Sequence, residues 1–262
     1  MKKFFAQSYI WLLLVILYAP IIIIAVYSFT EAKVLGNWTG FSFNLYRNVF
    51  SGGLNSSLIR AIYNTLSIGV ISATLSTLLG TVSAIGIHNL RGRKRKVMNF
   101  LNDIPMLNPD IITGISLFVL FIALGVTQGY TTVLLAHVSF CTPYVILSIM
   151  PKLRQLPANT YEAALDLGAS PSQAMRKVIV PQIRPGIISG FILAFTLSID
   201  DFAVTLFTKG NGGLETLSTY IYADARKGGL TPEIRPIMTL IFMTVLVLLL
   251  IINFRSIKST KK

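Results

Sequence analysis

Leu240-Ile241-Phe242-Met243-Thr244-Val245-Leu246-Val247-Leu248-Leu249-Leu250-Ile251-Ile252 is almost wholly aliphatic and carries no charge. It sits inside a longer apolar run, Ile234–Phe254. A helix needs about 20 mostly apolar residues to cross a bilayer, and in lipid the backbone must satisfy its own polar groups, which a helix does within one segment. Five more runs of this kind precede it: Tyr9–Phe29, Thr65–Ile87 (starting earlier, near Leu58), Leu101–Leu124, Thr131–Met150 and Ile187–Phe207. The reading is an all-α membrane protein of about six transmembrane helices, taken as one domain over residues 1–262. The lipid bilayer is its first partner.

Composition agrees. Hydrophobic residues make up 53% of the 262 and charged residues only 13%, about half the charged share of a soluble domain. Mean hydropathy is +0.68. The net charge of +13 raises nucleic acid as a partner, but the basic residues gather at the ends of apolar runs, which excludes it. The single Cys141 offers neither a disulfide framework nor a metal cluster. The first run follows Lys2 and Lys3, as a signal peptide would. It is longer than a signal core and no small-residue cleavage site follows, so it reads as a retained helix.

Orientation follows from Lys and Arg in the connections. With the N-terminus inside, 16 of the 23 basic residues fall on the inner side, among them Arg91, Arg93, Lys94, Arg95, Lys96, Lys261 and Lys262. Both termini are therefore expected in the cytoplasm. The outer connections Thr30–Ser57 and Thr208–Glu233 suit ordered loops or short interfacial helices, and Gly125–Tyr130 suits a tight turn.

One inner connection, 151–182, is long and patterned. Asn159-Thr160-Tyr161-Glu162 reads as a capping box opening a short helix, which Gly168 ends at positive φ. Ser170-Pro171-Ser172-Gln173 opens a second helix, expected to stop near Val180 because Pro181 follows. The first helix is expected to expose Tyr161, Ala164 and Leu165. It lacks the Lys/Arg face of a headgroup-binding helix, so docking to a protein explains it better.

Glu162-Ala163-Ala164, three residues, Gly168, nine residues and Val178-Ile179-Val180-Pro181 resemble the EAA loop of ABC importer permeases. Val178 and Val180 replace the family's Ile and Leu. The resemblance implies a type I permease fold with a coupling helix seated in a separate ATP-binding subunit. Glu162, Ala163, Ala164 and Gly168 would be the coupling residues. This chain has no Gly-x-x-x-x-Gly-Lys-Ser/Thr loop, so ATP and Mg would be bound by the partner ATPase, and the chain itself is expected to be non-catalytic. Leu107-Asn108-Pro109-Asp110, Val138-Ser139-Phe140-Cys141-Thr142-Pro143-Tyr144 and Phe195–Asp201 narrow the resemblance to the C-type permeases of spermidine/putrescine importers. It implies a homologous second permease, two ATP-binding subunits, a periplasmic or extracytoplasmic substrate-binding protein and a place in the inner membrane.

Asp200 and Asp201 are the costliest residues in the fifth run, about two-thirds along it. An Asp at a helix centre costs about 2.5–3.5 kcal/mol on insertion scales. A polyamine pathway needs carboxylates for the ammonium groups and apolar walls for the methylenes. Asp200, Asp201, Phe202 and Phe207 supply both, with Asp110, after the break at Pro109, as a further candidate. The competing reading has these carboxylates satisfying donors within the structure or at a subunit interface. Cargo other than polyamines also stays open, as does a proton-coupled transporter using Asp200, Asp201 and His137. His137 itself reads first as a bonded packing residue.

Overall fold

The computed structural model describes residues 2–33, 36–227 and 230–260. Lys261 and Lys262, counted on the inner side, lie outside them. Among the described residues every regular element is helical: α1 (Lys2–Tyr27), α2 (Asn44–Ser51), α3 (Ser56–Asn89), α4 (Gly92–Leu107), α5 (Asp110–Ala123), α6 (Tyr130–Gln155), α7 (Thr160–Asp166), α8 (Pro171–Gln173), a π-helical turn (Ala174–Ile179), α9 (Val180–Asp200), α10 (Ala203–Thr208), α11 (Leu217–Ala225) and α12 (Ile234–Thr260).

Four helical stretches are long and apolar enough to cross a membrane: Gln7–Tyr27, Ser56–Asn89, Tyr130–Gln155 and Pro171–Asp200. The expected third span, Leu101–Leu124, is not one helix. Asn108-Pro109 breaks it, and Gly92–Leu107 meets Asp110–Ala123 at 104°. Counting that bent pair as one span gives five. The sixth expected run appears in α12, whose apolar part among the described residues is Ile234–Val247. The fifth run, Ile187–Phe207, is also broken, because α9 ends at Asp200 and α10 begins at Ala203.

The described residues form two compact units, one from those within 1–59 and 220–262, the other from 60–219. In the first, α12 packs against α1 and α2. In the connection after α1, expected on the outer side, the hydroxyls of Ser28 and Tyr46 lie 2.7 Å apart, and Phe29 stacks on Phe41 with centroids 5.3 Å apart.

The second unit is built around α6 and α9. Gly186, Gly190, Ala194 and Ser198 recur every four residues on α9 and all are buried, a small-residue stripe that lets two backbones approach closely. A Cβ on Gly186 would stand 3.2 Å from Ile149 Cα, and one on Gly190 3.0 Å from Val145 Cγ1. Cys141 Sγ reaches Ala194 O at 3.5 Å, and His137 Nδ1 reaches Ser198 Oγ at 2.6 Å. Each step of four down α6 is thus a step of four up α9, an antiparallel register held over three turns. α3 joins the same core through Gly80, whose Cβ would meet the Val145 side chain at 2.7 Å.

A helix corner and a charged helix break

The long connection 151–182, expected on the inner side, folds as two helical pieces around Gly168, as its pattern predicts. Gly168 has φ +85°. Its N–H bonds Leu165 O at 2.9 Å and the Ala169 N–H bonds Ala164 O at 3.1 Å, the paired bonds of a Schellman ending. At α8, Ser170 Oγ accepts from the Gln173 N–H at 3.3 Å and Gln173 Oε1 from the Ser170 N–H at 3.2 Å, so the second capping box is present.

Three details differ from expectation. The Asn159 side chain does not cap α7; Thr160 turns back instead, its hydroxyl donating to Pro157 O at 2.8 Å. The helix opened by Ser170 does not stop at Val180. It widens into the π turn Ala174–Ile179 and runs on through Pro181 into α9. Pro181 has no N–H for the Lys177 carbonyl and its ring would crowd that carbonyl in a tight helix, and a wider turn just before it relieves that crowding. The exposed face of α7 is also the opposite one. Tyr161 packs on the core and Ala164 is buried at 8% exposure. Glu162, Ala163, Asp166 and Gly168 face outward, beside Leu167 at 90%.

The second site is the break between α9 and α10. Asp201 leaves helical geometry, with ψ 130°, and its carboxylate caps the next helix. Oδ1 accepts from the Val204 N–H at 3.2 Å, and Oδ2 accepts from the Thr205 N–H at 2.8 Å and the Thr205 hydroxyl at 2.7 Å. His137 Nε2 stands 3.4 Å from Oδ2, with the Asp201 side chain only 5% exposed. Asp201 thus satisfies donors of its own chain. Asp200, the last residue of α9, is exposed. Adjacent residues on a helix diverge by about 100°, and here one carboxylate turns inward while its neighbour turns out.

Asp110 is the exposed first residue of α5. Phe207 and α10 lie along this helix: a Cβ on Gly114 would meet Phe207 Cδ2 at 3.0 Å and Val204 Cα at 3.1 Å. Gly114 is one turn past Asp110, about 6 Å of helix rise, so Asp110 sits about one turn away from the level where α10 starts. The structure therefore gathers Asp200, Asp201, Phe202, Phe207 and Asp110 around two neighbouring helix breaks. Glu162, Ala163, Ala164 and Gly168 share a separate corner. Sequence reading misses Ser72, Ser198 and Thr205, which bond around His137. The four-residue spacing of Gly186, Gly190, Ala194 and Ser198 is the available signal.

Helices long and apolar enough to cross a bilayer, four of them and a fifth if the bent pair is one span, define an α-helical, multi-pass membrane protein. Comparison with known proteins agrees. The chain belongs to the family of binding-protein-dependent transport system inner membrane components, matched over residues 76–257. It is 36% identical over 252 residues to the spermidine/putrescine transport system permease protein PotC of Haemophilus influenzae, covering 96% of each chain. It is 38% identical over 232 residues to the putrescine transport system permease protein PotI of Escherichia coli, covering 86% of this chain and 81% of that one. Among solved structures, a bacterial ABC transporter involved in the import of the acidic polysaccharide alginate matches with TM-score 0.71 and 18% identity, over 98% of this chain and 94% of that one. The methionine transporter MetNI matches with TM-score 0.59 and 17% identity, over 78% and 94%. The fold is that of ABC importer permeases.

Proposed function

We propose that this chain is the permease subunit of an ATP-driven importer that carries polyamines, spermidine or putrescine, into the cytoplasm. The observation that carries the reading is the identity of 36% and 38%, over most of the chain, to permeases named for those substrates. The exposed carboxylates support it, since alkyl chains bearing several ammonium groups need acidic groups beside apolar walls. At an effective dielectric near 20, a carboxylate–ammonium contact at 4 Å gains about 4 kcal/mol before desolvation, enough to offset part of the lost hydration.

In this reading the chain crosses the inner membrane six times with both termini in the cytoplasm. It pairs with a homologous second permease, two ATP-binding subunits and an extracytoplasmic substrate-binding protein. It is non-catalytic, and ATP and Mg are bound by the ATPase. The α7 corner, with Glu162, Ala163 and Gly168 outward and Ala164 holding it to the core, docks on that ATPase. Asp200, Phe202, Phe207 and Asp110 border the cation pathway, while Asp201 holds the break in shape.

The test is reconstitution of the complex in vesicles with labelled spermidine and putrescine. Uptake should require the binding protein, the ATPase and ATP together. Uptake by the permease alone under a proton gradient would replace this reading with a proton-coupled one. ATP-driven uptake of a different cation, with polyamines ignored, would retain the class and remove the cargo.

A further inference from the structure

His137 is wholly buried, yet both its ring nitrogens are bonded, and to opposite sides of the α9–α10 break. Nδ1 lies 2.6 Å from Ser198 Oγ, in the last turn of α9. Nε2 lies 2.9 Å from Thr205 Oγ1 on α10. The bond directions are connected. Thr205 donates its one hydroxyl proton to the Asp201 carboxylate, so its oxygen accepts from the imidazole Nε2–H. Ser72 of α3 donates to Ser198 Oγ at 2.9 Å, leaving the Ser198 proton for Nδ1. Asp201 is also held from its backbone, since Ser218 donates to its carbonyl at 2.6 Å. The Phe140 ring, 5.2 Å from the imidazole between centres, walls the other side.

Simple packing does not require this. A buried imidazole needs its nitrogens satisfied, but any local acceptor and donor would serve. Here one ring spans a gap where the backbone ladder is interrupted, and the residue next to that gap is the exposed Asp200. We infer that His137 is a positioning residue for transport: by tying Ser198 to Thr205 and Asp201 it fixes the angle of the break and so the place where Asp200 meets the moving cation. This deepens the proposed function and rests on Asp200 lining the pathway.

The experiment uses the reconstituted complex and reads polyamine moved per ATP hydrolysed, with labelled putrescine as probe. A merely structural loss lowers uptake and hydrolysis together and leaves that ratio alone. His137→Phe keeps an aromatic ring against Phe140 and cuts both links; the ratio should fall roughly tenfold, the scale set by losing buried hydrogen bonds. Asp200→Asn should fall likewise, and the double variant should be no worse than Asp200→Asn alone. His137→Gln, whose amide offers one acceptor and one donor, should recover part of the ratio. Should His137→Phe fail to assemble, Thr205→Val, which removes the hydroxyl that joins His137 to α10 and to Asp201, is measured in its place with the same expectation. A normal ratio in the assembled His137 or Thr205 variant overturns the inference, as does a double variant in which the two losses multiply. A normal ratio in Asp200→Asn removes the pathway role of Asp200 and the inference with it; a defective Asp200→Asn beside a normal His137→Phe removes the inference alone.

Discussion

Gly190 on α9 faces Val145 on α6 so closely that a Cβ on the glycine would stand 3.0 Å from Val145 Cγ1 and 3.4 Å from its Cα. The two helices meet nearly backbone to backbone, and Val145 fills the space a side chain would take. Gly190→Leu forces them apart and should destabilise the chain by about 1–3 kcal/mol. Gly190→Ala should cost less, and Val145→Ala should partly compensate it by removing the crowding methyl. Thermal unfolding in detergent of the two single variants and the double checks this; a double variant no better than Gly190→Ala would break the assigned contact.

The corner at Gly168 depends on backbone alone. A Cβ there meets no atom within 4 Å, but φ is +85°, a conformation costing L-residues about 1–2 kcal/mol. Gly168→Val should therefore insert and fold, lose the corner and lose ATP-driven uptake. Gly168→Asn, which tolerates left-handed geometry, should retain more uptake. Equal uptake from both variants and the unaltered chain, at matched membrane levels, would separate the corner from coupling.

Leu167 and Ala163 stand outward at the α7 corner, while Ala164 packs inward. Leu167→Glu or Ala163→Trp should abolish co-purification with the ATPase and leave the chain's thermal unfolding unchanged. Ala164→Trp should instead lower stability, because it pushes α7 off the core. If Leu167→Glu binds the ATPase normally, the docking face is elsewhere.

The connection after α1 carries a pH-sensitive clasp. Glu31 accepts from the Ser42 hydroxyl at 2.5 Å and from Asn44 Nδ2 at 2.6 Å, and these bonds hold its pKa below the ordinary value. The clasp is fully present above the ordinary carboxylate range and is lost as pH falls through the lowered value. In a Trp11→Phe background, emission from Trp38, edge-on to Tyr27 at 6.1 Å, should shift on acidification. Glu31→Gln should remove the shift.

The span runs, the glycine corner and the Ser170 capping box are legible in the sequence because each rests on local chemistry: apolar length, positive φ, paired side-chain and backbone donors. Asn159 misleads because its backbone, at φ −94° and ψ 5°, is not in the extended geometry from which a side chain caps a helix, and the residue order does not show that. Pro181 reads as a stop, yet a π turn carries the chain past it. The breaks at Asn108-Pro109 and Asp201 differ in legibility, since proline marks the first and only tertiary bonds mark the second. Asp200 and Asp201 are identical in sequence terms. What separates them is His137, far back along the chain on α6, and the α10 amides that Asp201 caps.

That separation is central to the proposed function, in which Asp200 meets the cation and Asp201 holds the break. The most direct measurement pairs labelled putrescine uptake with ATP hydrolysis in the purified complex, for Asp200→Asn and Asp201→Asn separately. The Asp200→Asn complex should assemble, hydrolyse ATP in response to the binding protein and move little polyamine. Asp201→Asn turns an amide donor or a weaker acceptor toward the α10 N–H groups, so it should lose stability by about 1–3 kcal/mol, where Asp200→Asn should not. Normal transport by Asp200→Asn, or an Asp201→Asn chain that unfolds thermally at the same temperature as the unaltered one, would contradict this division of roles.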